Sequence, residues 1–232
     1  MTTEQSTAPN VPDRGFTFEV PVHFHDLAMH LDEAARWAHL EELACEIWSG
    51  GTADQRSGVQ QLYADIAEAA AQDGAIYAGV AMFATEDDRI SSASLIARTD
   101  PIEAGDLETI VATLEETLSL NPSNDVQRVE VEAGPAVVSF SAVEWQIGPA
   151  DAPERPEPIV LARVDAYVPL PDLGTLLVLA LSTPSLPELP DYVALLSQTA
   201  ETVRRLDEEP VAATVPGQPA GETAARMTAA FG

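Results

Sequence analysis

The stretch TLLVLALS, Thr175–Ser182, decides the fold. Its interior, Leu176-Leu177-Val178-Leu179-Ala180-Leu181, is apolar at consecutive positions. Successive strand side chains point to opposite faces, so this strand has two apolar faces and belongs inside a sheet covered on both sides. Upstream, Ile159–Val168 reads as a second strand, joined to the first through the turn Pro171-Asp172-Leu173-Gly174. Downstream, Pro190-Asp191 opens a helix in which Tyr192, Leu195, Leu196, Thr199, Val203 and Leu206 are predicted to face inward. The segment Glu157–Leu206 is thus a strand, turn, strand and helix at the centre of the molecule.

Working outward, Phe16, Phe18, Val20, Val22 and Phe24 alternate with Thr17, Glu19, Pro21, His23 and His25, the period of a half-buried strand with Pro21 marking an edge. From Leu31 to Trp48 the spacing becomes helical, with Leu40, Leu43, Ala44 and Ile47 on one stripe. Thr52 followed by Gln55 has the form of a capping box, and Val59, Leu62, Tyr63, Ile66 and Ala70 form the predicted inner face of a second helix. Ala75–Ala84 and Ile90–Thr99 read as a hairpin. Asp106 caps a helix carrying Leu107, Ile110, Val111, Leu114 and Leu118, which Asn121-Pro122 stops. Val126–Ala133 and Ala136–Ile147 are strands hinged at Gly134-Pro135, and the proline-rich stretch 148–158 is an exposed connection. The order lacks a regular βαβ rhythm. It predicts an α+β fold, a mostly antiparallel sheet of about six to seven strands with helices packed on its faces. Residues 1–14 and 208–232 lack apolar periodicity and are expected as loose tails around a single domain spanning residues 15–207.

Charge narrows the function. The chain has 38 acidic and 11 basic residues in 232, a net of -27, and a surface of that sign repels nucleic-acid phosphates and anionic lipid headgroups. Every basic residue is arginine. Without lysine there is no phosphate-loop lysine, no Schiff base and no Ser-Lys pair. The one cysteine, Cys45, is expected as a small buried hydrophobe on its helix, and it suits a reducing compartment. The first residues lack the basic start and apolar run of a secretory signal, and no apolar run reaches the roughly 18 to 20 residues of a membrane span, so a cytoplasmic location is expected.

Three groups of residues invite a functional reading. His23 and His25, with Glu19, are the candidate metal ligands, because alternate positions on one strand aim both imidazoles the same way. Solvated histidines on a polar edge are the competing explanation. Gly50-Gly51-Thr52 lacks the phosphate-loop spacing and reads as a helix stop followed by a cap. The aromatics Trp37, Trp48, Trp145, Tyr77, Tyr167 and Tyr192 are expected in the core, and Trp145, next to the proline-rich connection, is alternatively the candidate anchor for a partner. No G-x-S-x-G elbow or other catalytic constellation is present and no cofactor is expected.

The closing strand, loop and helix from Leu176 to Leu206, with Leu181-Ser182-Thr183-Pro184 at the junction and Tyr192 opening the helix, resembles the PsbP-like α/β/α sandwich superfamily, and within it uncharacterised bacterial members. That superfamily consists mainly of non-enzymatic modules that dock on other proteins. The resemblance therefore implies an interaction role and carries over no catalytic or binding residue. The expectation is a non-catalytic accessory or interaction protein whose partner is another protein with a basic surface. The alternative is a metal or small-molecule binder, or an enzyme, using a cleft near His23 and His25.

Overall fold

The computed structural model describes residues 6–7, 14–85, 87, 89–145 and 158–206. In chain order these form β1 (Ser6–Thr7), β2 (Phe16–Thr17), β3 (Val20–Pro21), β4 (His25–Asp26), α1 (Glu33–Ile47), α2 (Ala53–Gln72), β5 (Ala75–Ala84), β6 (Ile90–Pro101), α3 (Leu107–Ser119), β7 (Asp125–Val131), β8 (Gly134–Trp145), β9 (Ile159–Leu170), β10 (Thr175–Thr183), α4 (Leu189–Glu201) and β11 (Arg204–Arg205). Seven strands make one sheet in the order β4-β5-β6-β10-β9-β8-β7, every neighbouring pair antiparallel. The fold is α+β, as the sequence predicts. The doubly apolar strand β10 occupies the middle of the sheet.

Two chain segments meet at that seam. The first runs from β4 through α1 and α2 into the β5–β6 hairpin. The second passes from α3 along the meander β7-β8-β9-β10 and returns to pair β10 with β6, Leu179 standing opposite Ala97 on one side and Ala166 on the other. Gly174 closes the β9–β10 connection at φ 60, in the left-handed region that favours glycine. At the start of α2 the Thr52 amide donates to Gln55 Oε1 at 2.8 Å, and the Gln55 amide donates to Thr52 Oγ1 at 3.2 Å, the reciprocal capping box that the spacing predicts.

Each face of the sheet has its own cover. On the first face Leu177, Leu179 and Leu181 join Leu95, Val138, Val164 and Ala166 beneath Tyr192, Leu196 and Ala200 of α4 and beneath Phe16, Phe18, Val20 and Phe24. On the second face, Ala78 and Val80 of β5 pack against Leu40 and Leu43 of α1 and Tyr63, Ala67 and Ala70 of α2. Helix α3 lies against β7, β8 and β9. Its Glu108 pairs with Arg128, which alternates onto the face opposite Val129 and Val131, and this places α3 on the second face as well. The result is a three-layer α/β/α sandwich, the arrangement that the PsbP-like resemblance implies.

Several local expectations are corrected. The single strand predicted from Phe16 to Phe24 is broken into β2, β3 and β4, because a turn closed by the Phe24 amide on the Pro21 carbonyl interrupts the alternation. Phe16, Phe18, Val20 and Phe24 are buried as the period requires, but Val22, at the turn, is 45% exposed. Ser6 and Thr7 pair with Pro21 and Val20. The remainder of residues 1–13, most of the proline-rich connection and the segment from 207 onward lie outside the described residues. The turn between β7 and β8 falls at Glu132-Ala133, two positions before the predicted hinge, with Gly134 already paired to Val131. Cys45 is exposed, since it stands about 100° around α1 from Ala44, the last fully buried residue of the stripe. Trp37 is 43% exposed, one turn before the first buried residue of the stripe, Leu40. Leu206 is also exposed, because α4 ends at Glu201 and the chain turns into β11 beside β2.

Candidate functional site

Helix α2 is apolar over a wider arc than one buried stripe needs. Gln60, Tyr63, Ala67 and Ala70 face the core. Leu62, Ile66 and Ala69 are displaced from that stripe by about a quarter turn at 100° per residue, and Leu62 is 42% exposed. These residues form one wall of an open groove of about 480 Å³, whose floor and far side come from Met82 of β5, Ser92 and Ser94 of β6, Ser182 and Pro184 at the end of β10, and Ile159 and Leu161 of β9. The lining is mainly aliphatic, with Ser92, Ser94 and Ser182 on the floor. Its one charged member, Asp65, accepts a hydrogen bond from Gln61 Nε2 at 2.7 Å.

The groove is fixed from below and at one end. Thr183 Oγ1 donates to the Ser92 carbonyl at 2.6 Å, the Ser92 amide donates to Ser185 Oγ at 3.1 Å, and the Ser185 amide donates back to Thr183 Oγ1 at 2.9 Å. This knot pins the turn carrying Pro184 to β6. Beneath α2, Tyr63 is buried and its hydroxyl lies 4.0 Å from Met82 Sδ. Burial pushes the Tyr63 phenol up to about 12, so it is neutral throughout the physiological range.

Further along the second face the same strands carry an ionic row. Arg163 Nε donates to both oxygens of Asp165, at 3.0 and 2.8 Å, and Arg98 Nη1 lies 2.8 Å from Asp100 Oδ1. Asp165 is only 7% exposed, and desolvation raises its pKa against the opposing pull of Arg163 and Arg98. The Tyr167 phenol is raised as well, by burial first and by the Asp165 charge second. In each of these two pairs the charges cancel, so the row presents a polar but neutral floor continuous with the apolar groove.

The residues singled out in the sequence are placed elsewhere. Glu19 sits between β2 and β3, where its amide donates to Thr202 Oγ1 at 2.8 Å and its carboxylate lies 3.5 Å from Arg204 Nη2. His23 lies in the turn after β3, whereas His25 is in β4 opposite Val80. They are not alternate positions on one strand, the geometry on which a chelating pair depended. Among the described residues no group of three or more His, Cys, Asp or Glu side chains is placed to hold a metal ion. The backbone of Trp145 ends β8 opposite Ile159, at the groove's edge, while its side chain lies outside the described part of the molecule. Sequence analysis missed Leu62, Ile66, Met82, Ile159 and Leu161 as a surface. The available signal was the excess width of the apolar arc on α2 and the clustered serines of β6.

No family model matches the chain, and no curated protein matches it. Among solved structures, the Ran-binding protein Mog1p of Saccharomyces cerevisiae is similar over 88% of this chain and 97% of that chain, with 13% sequence identity and a TM-score of 0.41. At that identity and TM-score the likeness carries no weight for what this chain binds. The three-layer architecture rests on the sheet and its covering helices themselves. Among the described residues no helix is long and apolar enough to cross a membrane.

Proposed function

We propose that this protein is a non-catalytic cytoplasmic interaction module that docks on a protein with a basic surface. The observation that carries the proposal is an open apolar groove on a molecule of net charge -27. An open aliphatic groove offers apolar surface that a partner can cover, and the charge selects partners of opposite sign. The lining supports binding over chemistry, since among the described residues it consists of aliphatic side chains, a buried tyrosine, serines and one carboxylate, with no histidine or cysteine beside the serines. The test is capture on the immobilised full chain at low salt, elution by a salt step and identification of what is released. Recovery of a basic partner is expected; recovery of no basic protein at the ionic strength where attraction is strongest overturns the proposal.

The volume of about 480 Å³ favours a second reading, a small apolar ligand, because clefts for such ligands span roughly 300 to 1,000 Å³. A thermal-shift panel of metabolites separates the two readings. A ligand at a hundred times its dissociation constant stabilises by about 2.7 kcal/mol, and a silent panel leaves the protein partner as the occupant.

A further inference from the structure

The sheet ends on one side in a strand long enough to pair again. Its two margins are β4, which pairs over only His25 and Asp26, and β7, which runs through seven residues, Asp125–Val131. Among the described residues β7 has β8 as its one neighbour in the sheet, in an unbroken register from Asp125 opposite Phe140 to Val131 opposite Gly134. The two-residue turn Glu132-Ala133 makes Val131 and Gly134 a hydrogen-bonded pair, and such pairs alternate along an antiparallel ladder. Asp125, Gln127 and Val129 therefore turn their amides and carbonyls toward β8, while Val126, Arg128 and Glu130 turn theirs outward. Pro135 agrees with this phase, because it has no amide to give and stands opposite Glu130 in a pair that exchanges none. The strand has neither a proline nor a bulge, two devices that keep an edge from pairing.

The side chains beside this edge decide what can pair with it. Val129 and Val131 point to the first face and are buried there. On the second face Arg128 Nη2 donates to Glu108 of α3 at 2.6 Å, and Glu130 and Glu115 lie close enough to act on its charge. Glu108, Glu115, Asp125 and Glu130 are all exposed, four carboxylates against one guanidinium. A second copy would bring the same carboxylates to the edge and be repelled, whereas a cationic strand neutralises them. We propose that the β7 edge takes up an extended Lys- or Arg-bearing segment of a partner protein by strand addition. Its backbone pairs with Val126, Arg128 and Glu130, and its basic side chains lie on the α3 side, facing Glu108, Glu115 and Glu130. The inference rests on the reading of the protein as a binding module for basic partners, and it adds a contact at the margin of the sheet, away from the groove.

The probe is a fluorescein-labelled peptide of about nine residues in which valine and arginine alternate, long enough to span β7. Two further peptides carry N-methyl groups on every second backbone amide, one on the valines and one on the arginines. Charge and side chains are the same in all three, but an added strand turns only alternate amides toward its partner. Anisotropy is read with the full chain at about 150 mM salt, where the Debye length is about 8 Å. One methylated peptide is expected to bind like the parent peptide and the other at least roughly tenfold more weakly. Val126→Pro removes an outward amide without touching the ladder to β8, and it is expected to weaken the parent peptide at least roughly threefold; Val22→Ala, in the turn after β3, leaves it unchanged. Circular dichroism checks that the proline variant folds, and the methylated peptides test the edge on the unaltered protein in any case. Equal binding of all three peptides, or a folded Val126→Pro that binds like the parent protein, overturns the edge and leaves the charge-driven module standing. If no peptide binds even at low salt, both fall. A dimer in sedimentation that Val126→Pro dissociates assigns the edge to a second copy and overturns the proposal.

Discussion

Truncating two leucines, one beneath α4 and one on the groove wall, separates the core from the binding surface. Leu179 is fully buried on the central strand, between Ala97 and Ala166, whereas Leu62 is 42% exposed on α2. Each Leu→Ala change removes the same atoms. At Leu179 the lost transfer energy, about 0.8 kcal/mol per methylene-sized group, is joined by a cavity term, because strands on both sides and α4 above prevent collapse; the total is about 2 to 5 kcal/mol. At Leu62 only the buried part of the side chain contributes and water fills the space, so the cost is about 1 kcal/mol or less. For a domain of this size each kcal/mol lowers Tm by about 2 to 4 °C, so a Leu179→Ala loss near 3 kcal/mol corresponds to about 6 to 12 °C. Urea denaturation of both variants, with the m value fitted, is the assay. Equal losses at the two positions, or a Leu179→Ala loss below about 1 kcal/mol, would refute the assignment of β10 as the core strand and of Leu62 as surface.

Tyr192 and Ser91 form a buried hydroxyl pair at 2.7 Å, so Tyr192→Phe should cost about 1 to 3 kcal/mol by leaving Ser91 unpartnered, and adding Ser91→Ala should recover part of it in a double-mutant cycle followed by urea denaturation. The raised pKa of Asp165 has a definite sign: the folded carboxyl holds its proton more tightly than the unfolded one, so its contribution is most favourable below the ordinary carboxylate value and is lost as pH rises through the raised one. Stability of the parent relative to Asp165→Asn should therefore fall as pH rises across that window, measured by melting both proteins from acid to neutral pH; a difference that grows with pH refutes the burial account. Because Glu19, His23 and His25 do not share a strand, zinc should change Tm equally in the parent and in the His23→Ala, His25→Ala variant, and a rise confined to the parent would establish a metal site there.

The elements that read correctly are those in which local chemistry and burial agree. Thr175–Ser182 is apolar on both faces and sits mid-sheet, and the Thr52–Gln55 box forms because both partners lie within one helical turn. The segment around His23 failed for the opposite reason. Its alternation correctly placed Phe16, Phe18 and Val20 inside, but neither period nor composition reveals that the Phe24 amide turns back on the Pro21 carbonyl. The groove was hidden by tertiary placement. Leu62 and Tyr63 are adjacent apolar residues on one helix, and only the position of α2 at the margin of β5 decides that Tyr63 is covered while Leu62 is left on the wall of an open groove.

On the proposed binding role, the acidic charge and the apolar groove would act on different parts of association. Among the described residues six arginines are paired with carboxylates: Arg89, Arg128, Arg204 and Arg205 tie one segment of the fold to another, whereas Arg98 and Arg163 pair with Asp100 and Asp165 two residues along their own strands. Much of the scarce positive charge is thus committed internally, and the net of -27 remains a field at the surface. Such a field raises the rate at which cationic partners arrive and weakens with added salt, but it does not distinguish one basic protein from another. Discrimination between basic partners has to come from shape, and on the proposed binding role the aliphatic groove beside α2 is the surface that would supply it. If the proposed binding role holds, the exposed carboxylates should set the speed of encounter and the aliphatic groove residues Leu62, Ile66 and Leu161 the dissociation rate.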